Sequence, residues 1–150
     1  MNAAPTSNKR EIEFASHPGN LSLVRDFVRQ FLKTVDFPDL EKDLIVLGLD
    51  EACTNVIRYA YHHEPTHLIC LACEQVEKGV VFRLRDYGMQ AELSQLQGRP
   101  LDLVQPGGLG IHLIRRAFTE VDYKLKKQGT ELVLAKHFMA TGDGCEASAK

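Results

Sequence analysis

The sequence has no run approaching the roughly 20 apolar residues that a membrane helix needs. No apolar stretch follows a basic segment near Met1 either, so neither a span nor a signal peptide is expected. Charge of one sign is also lacking: 18 Lys and Arg stand against 20 Asp and Glu, for a net charge of −2. That leaves no electrostatic footprint for nucleic acid or an anionic membrane, and makes protein or small-molecule partners the default. A disulfide framework is absent as well. Cys53 falls in a helical pattern, Cys70 and Cys73 in a strand pattern, and Cys145 in the C-terminal tail. These absences predict a reduced, soluble, cytoplasmic protein. With 150 residues, 44% of them apolar, the chain suffices for one ordinary core and is short for two.

What is present is organised around Leu44 to His62. As a helix this stretch lines up Ile45, Leu49, Ala52, Val56 and Ala60, with Leu44 and Ile57 flanking. Gly48, Glu51, Asn55 and Tyr59 form a second row beside that stripe, at steps of three and four. Asn and Gly are poor helix formers, by a few tenths to about 1 kcal/mol relative to Ala, so their presence suggests selection by something other than helix stability. Two readings stay open for this row: a solvated face, with Glu51 near Arg58 or Asn55, or a carboxylate and a carboxamide converging on one ligand.

The rest of the chain supplies alternating elements. Arg10 to Ser16 alternates like a half-buried strand, and a turn at His17 to Asn20 follows, with Asn20 or Ser22 as a helix cap. Leu21 to Val35 has helical spacing, and its other face carries Arg25, Asp26, Arg29 and Lys33. That face reads either as solvated, with Asp26 and Asp36 nearby, or as a docking surface for an acidic partner. Pro38 fits a first helical turn leading into the central helix. Thr66 to Val76 and Gly79 to Arg85 predict one hairpin, and Val121 to Lys126 with Thr130 to Ala135 a second. Between them, Met89 to Gly107 lacks a period, which marks a functional lid or a disordered segment. Gly108-Leu-Gly110 leads into a helix from Ile111 to Phe118. Hairpins force antiparallel pairing and three helices cover one face, so the expected fold is α+β, a two-layer sandwich. The domain should span residues 10–138, with 1–9 and 139–150 as disordered flanks.

Three features point toward one chemistry. Asp86-Tyr-Gly88 ends a strand, so a carboxylate there is placed to accept a hydrogen bond from an exocyclic amine. Gly107-Gly-Leu-Gly110 precedes a helix, whose free backbone amides suit phosphates. Glu51 and Asn55 offer oxygen ligands of the kind Mg²⁺ prefers. A metal site at His62, His63, His67, Cys70 and Cys73 is not expected. The two cysteines, three apart in a strand, face opposite ways, and no second pair has zinc-site spacing.

E-A-x-T-N-x-x-x-Y-A-Y from Glu51 to Tyr61, D-x-G from Asp86 to Gly88 and G-G-L-G-I-x-L-I from Gly107 to Ile114 resemble the N, G1 and G2 boxes of GHKL ATPases. This is the Bergerat-type fold shared by gyrase B, histidine kinases and MutL. The short length, the Gly-Gly-Leu-Gly helix and Gly129-Thr130-Glu-Leu resemble, within that group, the anti-sigma serine/threonine kinases of partner-switching systems. The resemblance implies ATP and Mg²⁺ as cofactors, with Glu51 as general base and Asn55 as Mg²⁺ ligand. Asp86 would read the adenine amino group, Gly88 would make room for the ring, Gly108 and Gly110 would approach the phosphates, and Thr130 would sit near the adenine. It further implies phosphorylation of a STAS-domain anti-anti-sigma protein, sequestration of a sigma factor, and a homodimer. Two departures stand out. Position 90 is Gln where the family continues with a small residue, which would narrow the pocket rim or alter lid movement. Between Arg99 and Arg115 there is no Lys or Arg, so Arg99 or a partner would have to meet the γ-phosphate. These departures keep a second reading alive, a nucleotide-dependent binding module that captures a partner without phosphorylating it. A third, an ATPase domain separated from a histidine kinase, is disfavoured because no dimerisation helix or phospho-acceptor His precedes the domain.

Overall fold

A computed structural model describes residues 8–90 and 108–139. Residues 1–7 and 140–150 of the expected disordered flanks and nearly all of the expected lid, with Arg99 and Gly107, fall outside these residues, whereas Lys9, expected in the N-terminal flank, begins a strand. Five strands form one antiparallel sheet: β1 (Lys9–Ala15), β2 (Leu68–Val76), β3 (Gly79–Asp86), β4 (Glu120–Leu125) and β5 (Thr130–His137). Their spatial order is β1-β2-β3-β5-β4, so β3 pairs with β5 and not with its neighbour in sequence, β4. Helices α1 (Leu21–Leu32), α2 (Asp39–Asn55) and α3 (Gly108–Ala117) cover one face. This is the expected two-layer α+β sandwich.

The pleat explains which face is covered. Val80, Phe82 and Leu84 of β3, with Ile69, Leu71 and Cys73 of β2, point into the core at alternate positions. The opposite face of the sheet carries Glu13, Cys70, Arg83 and Glu131. The two strand cysteines thus part as expected: burial pushes the Cys73 thiol up to about 12, while Cys70 lies beside Glu13 at 3.8 Å on the open face. Phe82 anchors the centre, in edge contact with Phe31 of α1 and Phe118 just after α3.

Local chemistry differs from the sequence expectations in four places. Asn20 does not cap α1; its side chain donates to the Ala15 carbonyl at 2.9 Å, and His17 Nδ1 accepts from Gly19 N–H in a single 3-10 turn over Pro18–Asn20. Pro38 is the residue before α2 and not inside its first turn. Two cations of the α1 face, read as solvated or as a docking surface, are instead engaged by α2. Arg25 pairs with Asp50 at 2.7 Å and Arg29 with Asp43 at 3.2 Å, fastening α1 to α2. Finally, the central helix does not run on as α-helix to His62. It changes at Val56 into a π turn, Val56–Ala60. That turn inserts an extra residue per bond and rotates the apolar stripe. Ile57 and Tyr61 reach the core, whereas Val56 and Ala60 are only half-buried.

Candidate nucleotide site

Glu51 and Asn55 lie one turn apart near the C-terminal end of α2, and both are half-buried. Asn55 is the last residue of α2, immediately before the π turn. Its Oδ1 is buried and, among the described residues, has no hydrogen-bond partner. An unpaired buried acceptor costs about 1–3 kcal/mol, so a side chain held that way suits a cation or a donor supplied from outside the chain. Among the described residues Glu51 makes no ion pair, neither with Arg58 nor with any other cation. Arg58 instead lies against the ring of Tyr59. Gly48, from the same row, has a different role. A Cβ there would lie 2.9 Å from both Ala117 Cβ and Phe118 Cε2, so its small size lets α3 approach α2.

Asp86, Gly88 and Thr130 are brought together by the sheet order. Arg85 pairs with Glu131 across β3 and β5, which sets Asp86 opposite the start of β5. Asp86 is 4% exposed, and its Oδ1 accepts from the Gly88 N–H at 2.9 Å. The nearby Thr130 N–H also favours its ionised form. Burial raises its pKa above the usual carboxylate value, opposed by these two N–H groups and by the Arg85 guanidinium. The result is an inward carboxylate at the mouth of a strand. Gly88 is required by close approach. A Cβ at that position would lie 2.4 Å from the carbonyl oxygen of Ala60 and 2.9 Å from Tyr61 Cδ1.

The two halves are joined by groups that the motifs did not single out. The Tyr61 hydroxyl donates to the Leu68 carbonyl at 2.6 Å and accepts from the Tyr87 N–H at 2.8 Å. Its ring stacks on His67 at 4.7 Å. Gln90 and Gln128 bond backbone carbonyls across the mouth of the β4–β5 turn. The tyrosine was visible in the sequence as part of the first motif, but its partners are set by tertiary placement alone. Gly108 and Gly110 stand in the first turn of α3 and not in a loop before it. The backbone N–H groups of such a turn lack intrahelical partners, which is the chemistry an anion requires. Helix α3 meets α2 at Gly48, about two turns from Asn55. Cys53, beside Asn55 in sequence, is a fully buried core thiol whose pKa burial drives well up, and it takes no part in this surface.

A family model described as the histidine kinase-like ATPase domain matches residues 14–136. The chain belongs to that family. An anti-sigma F factor from Oceanobacillus iheyensis is 26% identical over 134 residues, covering 86% of this chain and 92% of that protein. The serine/threonine-protein kinase BtrW of Bordetella bronchiseptica is 29% identical over 97 residues, 62% of this chain and 68% of that one. The crystal structure of the RsbU and RsbW domains of a Mycobacterium tuberculosis protein shares the fold, with a TM-score of 0.62 at 16% identity. The match covers 87% of this chain and 34% of that longer one. The likeness to anti-sigma factor kinases read from the three motifs is thereby borne out. A histidine kinase-like ATPase domain binds a nucleotide. Among the described residues of this one, no helix is long and apolar enough to cross a membrane.

Proposed function

We propose that this ATPase domain binds Mg-ATP and transfers the γ-phosphoryl group to a serine or threonine hydroxyl of a STAS-domain antagonist. When the antagonist is absent, it holds a sigma factor, and it works as a homodimer. The observation that carries the reading is the buried Oδ1 of Asn55, without a partner among the described residues, one turn after a carboxylate that makes no ion pair among them. The printed names of the relatives, an anti-sigma F factor and a serine/threonine-protein kinase, support the same direction.

Asn55 would hold Mg²⁺ through Oδ1, with further oxygens coming from the phosphates and water. Such an ion supplies charge neutralisation along the phosphate chain. Asp86 accepts the adenine amino group, Gly88 leaves room for the ring, and Thr130 lies beside both. The first-turn amides at Gly108 and Gly110 face the phosphates. Glu51 orients the acceptor hydroxyl and takes its proton, which requires a separation of about 2.6–3.2 Å in the productive complex. Phosphoryl transfer passes through a loose transition state, so positioning and neutralisation account for most of the catalysis.

The test mixes the protein with Mg-ATP and a STAS-domain protein and reads phosphoserine or phosphothreonine as a mass shift. Replacement Glu51→Gln should slow transfer by about a hundredfold or more while ATP still binds, the usual scale for loss of a general base. Transfer unchanged in that variant overturns the base assignment. Failure of the native protein to bind any adenine nucleotide overturns the whole reading. A second reading, a module that captures its partner without phosphorylating it, is favoured by the Gln90 side chain tied across the rim. Nucleotide-dependent capture with no mass shift would select it.

A further inference from the structure

We propose that Gln90 is a positioning residue. It straps the loop carrying Asp86 and Gly88 to the β4–β5 turn, and so fixes the adenine end of the cleft before nucleotide arrives. The inference rests on the nucleotide reading above and deepens it at one residue. Gln90 stands two residues after Gly88, where the related motif continues with a small residue.

A glutamine amide carries two N–H donors on one nitrogen. Here Nε2 lies 2.6 Å from the Lys126 carbonyl oxygen and 2.7 Å from that of Gly129, so both donors reach the same turn. The turn answers in kind: Gln128 Nε2 donates to the Tyr87 carbonyl at 3.0 Å. Between these bonds the two backbones touch directly. Gly129 has φ +76°, and a Cβ on it would lie 2.1 Å from the Asp86 carbonyl oxygen. The residue after Gly129 is Thr130, whose N–H favours the ionised Asp86 carboxylate. A small residue at position 90 would remove both bonds, leaving the Gly129 carbonyl only the Lys126 N–H at 3.1 Å, and Gln128 would be the remaining side-chain bond from the turn to the loop among the described residues. Gln90 therefore acts through Asp86 and Thr130 without itself touching the base. A frame already ordered in the free protein loses less conformational freedom on binding, which favours slow dissociation.

The experiment uses the full chain with Gln90→Ala and Gln90→Glu. The second keeps length and polarity but presents an acceptor to two carbonyls. Amide hydrogen exchange is read without nucleotide at residues 126–130 and, as an internal control, at Phe82. Dissociation is then read by stopped flow with fluorescent ATP and GTP analogues plus Mg²⁺. Both variants should exchange about tenfold faster at 126–130 with Phe82 unchanged, the signature of local and not global opening. ATP should leave roughly three- to tenfold faster, with the preference for ATP over GTP narrowing in step, because preorganisation is lost. Unchanged exchange at 126–130 overturns the strap. Faster exchange with unchanged dissociation and unchanged base preference overturns the positioning role, as does slower dissociation. If the native protein binds neither analogue, the nucleotide reading fails and the positioning role falls with it. The exchange data alone would then show whether Gln90 still joins the two segments.

Discussion

The backbone N–H of Met89 donates to the carbonyl oxygen of Ala60 at 2.9 Å. Ala60 closes the π turn that begins directly after Asn55, and Met89 follows directly after Gly88. The last carbonyls of a helix lack intrahelical partners. Here one of them holds the loop of Asp86, the carboxylate proposed to read adenine. With the Tyr61 hydroxyl bridging Leu68 and Tyr87, it ties the segment after Asn55 to the segment after Asp86.

Asn55→Ala should separate function from stability. It removes an unsatisfied buried acceptor, worth about 1–3 kcal/mol, and a poor helix former. The free protein should therefore melt at the same temperature or higher, while the Mg²⁺-dependent part of ATP affinity falls by about tenfold or more, the loss expected for one ligand of a hard cation. Calorimetry with and without EDTA reads both. A variant that is less stable yet binds Mg-ATP normally would make Asn55 a structural residue.

Asp86→Asn should change the pH dependence of stability. The pKa of Asp86 is raised from 3.8 in the fold, chiefly by burial, so the folded state favours its protonated form. That contribution is fully present below the unfolded value and is lost as pH rises through the folded value. The melting temperature of the variant should therefore gain on that of the native protein as pH rises from 3.8 through the raised folded value, because only the native carboxylate must ionise in a buried site. Adenine selectivity should fall in the same variant. Parallel melting curves across that range would contradict the burial argument.

Gly88→Ala should be poorly tolerated. The new methyl would meet the Ala60 carbonyl oxygen at 2.4 Å and its carbon at 2.8 Å, both backbone atoms that cannot swing aside. Relief requires the Asp86 loop to move off the π turn and the Met89–Ala60 bond to break. A loss of about 1–3 kcal/mol in urea unfolding is expected, the usual range for overpacking, together with weakened nucleotide binding.

Tyr61→Phe leaves the ring stacked on His67 but strips partners from the Leu68 carbonyl and the Tyr87 N–H. Each is a part-buried group, and exposing one such group to no partner costs about 1–3 kcal/mol. Equilibrium unfolding should show a loss of about 2 kcal/mol on that scale. Nucleotide affinity should fall as well, because Tyr87 sits between Asp86 and Gly88.

The layer architecture was legible from periodicity alone. The spacing of Cys70 and Cys73 put them on opposite faces of β2, though not which one faces inward, and the stripe through Ile45, Leu49 and Ala52 found the core face of α2. Helical spacing put Glu51 and Asn55 on one face of α2, and the end of a strand pattern placed Asp86, although the helix was expected to run past Asn55 to His62. What was not legible depends on pitch and on distant partners. Val56 and Ala60 continue the stripe on a 3.6-residue spiral, and no residue type announces that the spiral widens there. Gly48 was grouped with the ligand row because it shares that face, whereas its neighbours across the interface, Ala117 and Phe118, arrive from nearly seventy residues away, about half the chain. Arg25 and Arg29 found their counterions on α2 for the same reason.

The widened turn after Asn55 also makes the site sensitive to helical pitch. Were Val56–Ala60 to wind as ordinary α-helix with no residue removed, everything downstream would swing by up to about 100°, one residue's step around the helix axis. The tyrosine hydroxyl would then leave its two backbone partners, and the carbonyl that holds Met89 would be reclaimed by the helix. Pitch at this point is thus as restrictive as residue identity.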